Sequence, residues 1–376
     1  MKLGGKTMDE IADGDSKAVA NLLLNCAKGE TGQSVIIIHE PKDEQFYDSA
    51  LPEFVADKAR DLGFEVGLHE VPFQEEIKDP DPGIIKAMNS VDHTIFLARL
   101  GDQMRFREIK KSGSKIISYA LDRDMLVSGF GTADYRGFEA LKCIINKAIV
   151  NADEIHVTCP KGTDFKGYVK NSEEELVDVF LKRFPMSIFT PVPARHFKGQ
   201  IAQVGFLTGT GSRYYTPYAC EIEKTLFIEF DGNVIKGFTG SETDIANAEG
   251  HYNFVANKFG IDPFFVHSWH AGMHPACAFP MPAAESFERW SGGAFGNPRL
   301  LHFHTCGQYP PGEISINLVD PTIKLDNQAV WDKGTLYPER LSGGKEILDA
   351  YPSLNKVFQE PSKDIGLGPA GRLSFT

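Results

Sequence analysis

Five of the eleven histidines fall between residues 267 and 304, in two short clusters. The first is His267-Ser-Trp-His270-Ala-Gly-Met-His274-Pro275. Spacings of three and seven would align these imidazoles along a helix. Gly272 and Pro275 break a regular helix, so the segment is predicted to be a loop. The second cluster is His302-Phe-His304-Thr-Cys306-Gly307. On a strand, positions 302, 304 and 306 share one face. Two imidazoles and a thiol side by side suit a borderline metal such as zinc or iron. Glu313 and Asp320 follow closely and can add a carboxylate. Two histidines with one carboxylate form the facial set of non-haem iron centres. The same residues also suit plainer duties: hydrogen-bonded loops, subunit contacts or, for Cys306, a small buried apolar residue. Cys277 has no activating charge near it in sequence and is given no role.

A further candidate is Leu207-Thr-Gly-Thr-Gly-Ser-Arg-Tyr-Tyr215. Its glycines and Ser212 can form a backbone nest, and Arg213 can receive a carboxylate. Tyr214, Tyr215 and Tyr218 can wall a site for a peptide or aromatic ligand. The alternative is a hairpin loop carrying aromatic residues.

The elements that must position these residues fall into two series. In the first half, apolar β-branched runs alternate with helical stretches. Strands are predicted at 34–39, 64–71, 94–100, 115–121 and 154–158. Helices are predicted at 48–62, 84–88, 135–151 and 173–184. Strands separated by helices imply an α/β fold with a mostly parallel, doubly wound sheet. This half has neither G-x-G-x-x-G nor G-x-x-x-x-G-K-[ST], so the usual phosphate-cradling loops are missing. Three prolines between Phe184 and Pro193 suit an extended connector.

Beyond it, a β-rich α+β region is expected, giving a doubly wound domain over 1–188 and a site-bearing domain over 189–376. Lys224–Phe230 and Asn233–Phe238 flank Asp231-Gly232, a hairpin signal. A helix is expected from Glu242 to Phe259, stopped by Gly260. Strands are expected at 300–306, 314–318, 323–325 and 329–331. No internal repeat is seen, and the Gly-rich tail after Pro361 reads as loosely held.

Composition narrows the function classes. The 376 residues are 42% hydrophobic and 24% charged, with 36 Gly and 22 Pro, which excludes collagen-like and disordered chains. The formal net charge of −12 disfavours nucleic acid as a partner. No apolar run is long enough to span a bilayer, and no secretory leader is visible. Six scattered cysteines without a C-x-x-C pair read as reduced thiols in a cytoplasmic protein.

Several stretches resemble the thermophilic-type metallo-aminopeptidases (aminopeptidase T) and the related iron-dependent 2,5-dihydroxypyridine dioxygenase. Leu301-His302 with Gly307-Gln-Tyr309-Pro310 is similar to the ligand strand, where a Tyr follows the His by seven residues. Leu318-Val-Asp-Pro-Thr-Ile323 and Leu325-Asp-Asn-Gln-Ala-Val330 resemble the closing hairpin. Phe230-Asp-Gly-Asn-Val-Ile-Lys-Gly-Phe-Thr-Gly240 resembles the middle hairpin, and 260–275 falls where the family has a Gly-rich metal loop. The resemblance implies a homodimer with the metal site in the C-terminal domain, facing a large cavity. Most of the family's ligands are altered. Its His-x-Asp pair becomes Glu313-Ile-Ser315, its loop ligand falls at Ser268 between His267 and His270, and its first Glu falls near Arg195-His196. Only His302 and Tyr309 match outright. A two-metal peptidase centre needs several carboxylates, so ordinary aminopeptidase activity is not expected.

Three hypotheses follow. In the first, a rebuilt mononuclear zinc or iron site acts on a peptide or small aromatic substrate. His267, His270, His302 and Glu313 are its candidate ligands. Tyr309 and His304 are its candidate acid–base groups, and Arg213, Tyr214 and His196 its substrate contacts. In the second, the chain is a non-catalytic peptide- or ligand-binding protein, a degenerate metallopeptidase in peptide natural-product biosynthesis. In the third, a metal-free enzyme uses His302 or His304 near neutral pH.

Overall fold

Ser34-Val-Ile-Ile-Ile-His39 carries four buried β-branched residues in a row and forms strand β1. A strand buried on both faces belongs inside a parallel sheet covered by helices. The computed structural model, which describes residues 14–76, 80–107, 113–169 and 178–368, bears this out. Strand β1 pairs in parallel with β2 (Glu65–Glu70) and with β3 (His93–Leu97). Strand β4 (Ser114–Ser118) continues the sheet, and β7 (Lys182–Phe184) ends it. The order is β2-β1-β3-β4-β7, a doubly wound arrangement in which the order reverses between β1 and β3. Helix Leu51–Asp61 joins β1 to β2 and stops before Gly63, whose φ of 84° a side chain would resist. Ile84 and Met88, on helix Pro82–Asn89, pack with Ile38, Phe96 and Ile117.

Two expectations for this half change. The helix predicted over 173–184 lies outside the described residues up to position 177, and its last three residues are β7. The strand predicted at 154–158 is present as β5 (Ile155–Thr158), but it pairs antiparallel with β6 (Asp164–Gly167) in the other sheet.

The chain packs as two compact units, each drawn from separate stretches. Among the described residues, one draws on the stretches 1–138, 179–186 and 353–359, and the other on 139–178, 187–352 and 360–376. The second unit holds a large, mainly antiparallel sheet. Strand β8 is Val192–Pro193, β9 Phe197–Thr208, β10 Ala219–Asp231 and β11 Val234–Thr239. Strand β12 is Val266–Ala271, β13 Leu300–Thr305 and β14 Ile314–Val319. Strands β15 (Thr322–Leu325), β16 (Gln328–Asp332) and β17 (Thr335–Leu336) form the far edge. The order is β17-β16-β15-β5-β6-β9-β14-β13-β12-β8, with the β10–β11 hairpin branching from β9. Helix Glu242–Phe259 follows the hairpin. Ser241 Oγ accepts the Asp244 N–H at its start, and Gly260 ends it at φ 67°.

Side-chain alternation across β12 and β13 decides which residues form the site. Trp269 and Phe303 are register partners and both are fully buried. Both make edge contacts with Phe165, which also packs against Phe197 and Phe230. With Trp269 and Phe303 committed to that aromatic core, Ser268, His270, His302 and His304 must point the other way. Below the sheet on that side, Val204, Phe206, Trp290, Phe295 and Ile365 form a second apolar cluster. Residues after Pro361 are not loosely held as far as 368. Trp290 Nε1 donates to the Ile365 carbonyl at 2.8 Å, and the Ile365 side chain is buried; residues 369–376 lie outside the described residues.

Candidate metal centre

His270 lies on β12, and His302 and His304 lie on β13. The expected loop at 267–271 is therefore a strand. Gly272 misleads as a breaker: it sits at the strand's end, where an added Cβ would meet the Asn297 carbonyl oxygen at 2.2 Å. The register pairs His270 with His302 and Ser268 with His304. One nitrogen from each of His270, His302 and His304 lies within 4.8 Å of the others. His270 and His302 are buried, whereas His304 keeps 12% of its side chain exposed. Phe295 stacks on the His302 ring, with centroids 4.2 Å apart.

Hydrogen bonds assign the tautomers. His270 Nδ1 lies 3.1 Å from the Phe189 carbonyl oxygen. A carbonyl only accepts, so Nδ1 carries the hydrogen. His304 Nδ1 lies 3.0 Å from Glu313 Oε1, and a carboxylate likewise accepts. The two Nε2 atoms nevertheless face each other at 3.1 Å. As bare lone pairs they repel unless a proton or a cation lies between them. Nitrogen ligands at about 2.0–2.1 Å on a tetrahedral ion stand about 3.3 Å apart. The observed separation is close to that edge length, so the donor set fits a divalent metal.

Glu313 stands behind His304 rather than beside the Nε2 atoms. Its Oε1 takes the His304 Nδ1 hydrogen, and its Oε2 takes the hydroxyl of buried Thr210. The Glu313 carbonyl accepts from Tyr215 Oη at 2.8 Å. Cys306, at φ 70° just past the end of β13, turns the chain into the loop that returns Glu313 to His304. The Cys306 thiol is pushed up to about 12, by burial first and by Asp262 second, and Cys306 is outside the three-histidine group. The face continues onto β14. Ser315 pairs in register with His304 and Asn317 with His302; Ser315 Oγ donates to Asn317 Oδ1 at 2.8 Å.

The remaining sequence candidates sit elsewhere in the second unit. His267 lies against Tyr309, with ring centroids 5.4 Å apart, and its Nδ1 meets Ser268 Oγ at 2.9 Å. It is outside the three-histidine group. His196 stacks on Tyr168 at 4.9 Å. The Arg213 backbone N–H donates to Glu288 Oε1 at 2.9 Å, and its guanidinium approaches Glu288 Oε2 at 4.0 Å. Tyr214 is buried; it is Tyr215 that reaches the Glu313 backbone. Sequence reasoning missed Thr210, Ser315, Asn317 and the Phe189 carbonyl. The alternation Ile314-Ser-Ile-Asn-Leu318 carries a signal for two of them, but alternating polar residues ordinarily mark a solvent face.

No family model and no curated protein matches the chain. Among solved structures it is similar to 2,5-dihydroxypyridine dioxygenase from Pseudomonas putida KT2440. The TM-score is 0.53 at 13% identity, over 88% of this chain and 98% of that one. Wild-type AmpT from Thermus thermophilus aligns with a TM-score of 0.46 at 11% identity, over 86% and 98%. The first likeness establishes a fold shared with the dioxygenase, in keeping with the resemblance drawn from the sequence. No helix among the described residues is long and apolar enough to cross a membrane.

Proposed function

We propose that this protein is a metal-dependent enzyme with a mononuclear centre held by His270, His302 and His304, acting on a peptide or small aromatic substrate. The observation that carries the proposal is the facing pair of Nε2 atoms, 3.1 Å apart, with both Nδ1 atoms already committed to acceptors. Buried polar groups normally meet complementary partners, and two converging imidazole nitrogens need a proton or a cation between them; with His302 beside the pair, a metal ion would satisfy all three rings at once. Zinc and iron both suit imidazole donors. When bound, such an ion supplies Lewis acidity toward a substrate oxygen or a water.

The protein's own groups would do the rest. His270 is anchored by the Phe189 carbonyl and His302 by the Phe295 ring. The apolar cluster of Phe295, Trp290 and Phe206 would shield one side of the centre from water. His304, the least buried of the three, would mark the side open to substrate. Tyr309, beside His267, is the candidate to orient substrate or move a proton. This reading drops His267 and Glu313 from the expected ligands and brings in His304. It retains the homodimer and the cytoplasmic setting expected above, the latter resting on six scattered cysteines with no C-x-x-C pair.

One observation favours a second reading, a ligand-binding protein on a retired metallopeptidase fold. No carboxylate joins the three histidines within ligand distance among the described residues. Elemental analysis of protein purified without a metal-affinity tag separates the two. The enzyme reading expects about one zinc or iron per chain, lost in a His302→Ala, His304→Ala variant. Metal-free protein that gains no ion on incubation with zinc or iron would overturn it.

A further inference from the structure

We infer that Glu313 is a positioning residue for His304 and not a ligand, and that Thr210 holds it in place. This inference rests on the proposed three-histidine centre.

The geometry of both carboxylate oxygens carries the inference. Oε1 meets His304 Nδ1, the nitrogen turned away from the His270 and His304 Nε2 pair. Oε2 is held by the Thr210 hydroxyl. The Glu313 side chain is 2% exposed, so water does not compete for either oxygen. The backbone is fixed as well: Tyr215 Oη holds the Glu313 carbonyl, and β14 begins at the next residue. A side chain held at both oxygens and at its own backbone has no freedom to swing round to the other side of the imidazole.

Two consequences follow. First, accepting from Nδ1–H fixes His304 as the tautomer with its Nε2 lone pair directed at His270, and raises the basicity of that nitrogen. Second, the ligands contributed by the described residues are three neutral imidazoles. The ion therefore keeps its full charge among them, with a single negative charge one residue behind. Such a centre favours an anionic oxygen as its exchangeable ligand: a carboxylate, a phenolate or hydroxide. The sequence points to Glu313 as a direct ligand, and the fold turns it into the outer partner.

The test compares wild type, Glu313→Gln and Thr210→Val. Zinc affinity is read by competition with a chromophoric chelator, and the histidine nitrogens are read by ¹⁵N NMR of the zinc-loaded proteins. Gln at 313 keeps an oxygen acceptor but removes the charge. Zinc binding in Glu313→Gln is expected to weaken about 10–100-fold, with one zinc per chain still attainable. Three metal-shifted imidazole nitrogens, and a hydrogen on His304 Nδ1, are expected in both proteins. General destabilisation would not give that pattern. Thr210→Val is expected to weaken binding in the same direction but less.

Affinity in Glu313→Gln within twofold of wild type would overturn the positioning role. So would a wild-type spectrum in which His304 Nδ1 is the metal-shifted atom. Complete loss of zinc from Glu313→Gln, with cobalt(II) absorption showing a missing oxygen donor, would instead make Glu313 a ligand. Wild type that binds neither zinc nor cobalt fails the metal reading itself, an outcome distinct from these.

Discussion

The two units each bury a polar cluster, and the clusters are built on opposite principles. In the parallel sheet, Glu40 follows β1 and Arg99 follows β3, at the reversal of strand order where doubly wound folds usually bind ligands. Arg99 Nε and Nη2 donate to the two oxygens of Glu40, each at 2.9 Å, and Nη2 donates to Glu44 at 2.5 Å. Phe73 lies over the guanidinium, with its centroid at 3.6 Å. Donor meets acceptor and charge meets opposite charge, so the place a ligand would take is filled by the protein itself. In the antiparallel sheet, like meets like: His270 Nε2 and His304 Nε2 face each other, and a proton or a cation must lie between them. Both clusters are buried; what separates them is whether the facing groups complement one another.

Breaking the matched cluster should have the largest effect on stability. Removing one member of a buried ion pair strands the other, at about 3–5 kcal/mol. Arg99→Ala is expected to lose that much in urea denaturation of the first unit, while zinc affinity in the second stays within twofold. Loss of metal binding in Arg99→Ala would blur the distinction between the two clusters.

His251 sharpens it from another side, because it is a buried histidine outside either cluster. Its Nε2 has no hydrogen-bond partner among the described residues, and burial drives its pKa down from 6.5 to about 4. The depressed value means that the unfolded state takes up the proton first. The stability that neutral His251 contributes is therefore complete above pH 6.5 and is lost as the pH falls toward 4. That loss is about 3 kcal/mol. His251→Phe should flatten this part of the stability–pH curve, measured by denaturation between pH 4 and 7. An unchanged curve would show that His251 does not carry that dependence.

The mismatched cluster should behave differently from both. In metal-free protein, His304→Ala removes one of two opposed nitrogens but strands the buried Glu313 Oε1, and is expected to cost about 1–3 kcal/mol. Zinc at a hundredfold excess over its dissociation constant should stabilise wild type by about 2.7 kcal/mol and the variant not at all. Thermal melts with and without zinc read both quantities. The smallest effect is expected at Arg213. Its guanidinium is 39% exposed and 4.0 Å from Glu288, so Arg213→Ala should change stability by less than about 1 kcal/mol. Zinc affinity should be untouched.

Much of the fold was legible in residue pattern. The run at 34–39, the helices at 135–151 and 242–259, and the strands at 300–306 and 314–318 follow from apolar periodicity, and all are present. The strand at 266–271 was not legible, because its buried face is polar: Ser268 and His270 oppose Trp269. Apolar periodicity assumes that buried means apolar, and a site face violates that assumption. The assignment of β5 also lay beyond local pattern, since pairing across more than 160 residues to β15 leaves no mark in the nearby sequence. For the site, spacing on β13 brought out His302 and His304 together. Choosing His270 over His267 required the register with β13, which no spacing within 267–274 reveals.

X-ray absorption at the metal edge of the zinc- or iron-loaded protein tests the central claim most directly. The account expects three imidazole nitrogens at about 2.0–2.1 Å for zinc, falling to two or fewer, or to no bound metal, in His304→Ala. A shell dominated by carboxylate oxygen, or one unchanged by His304→Ala, would contradict it.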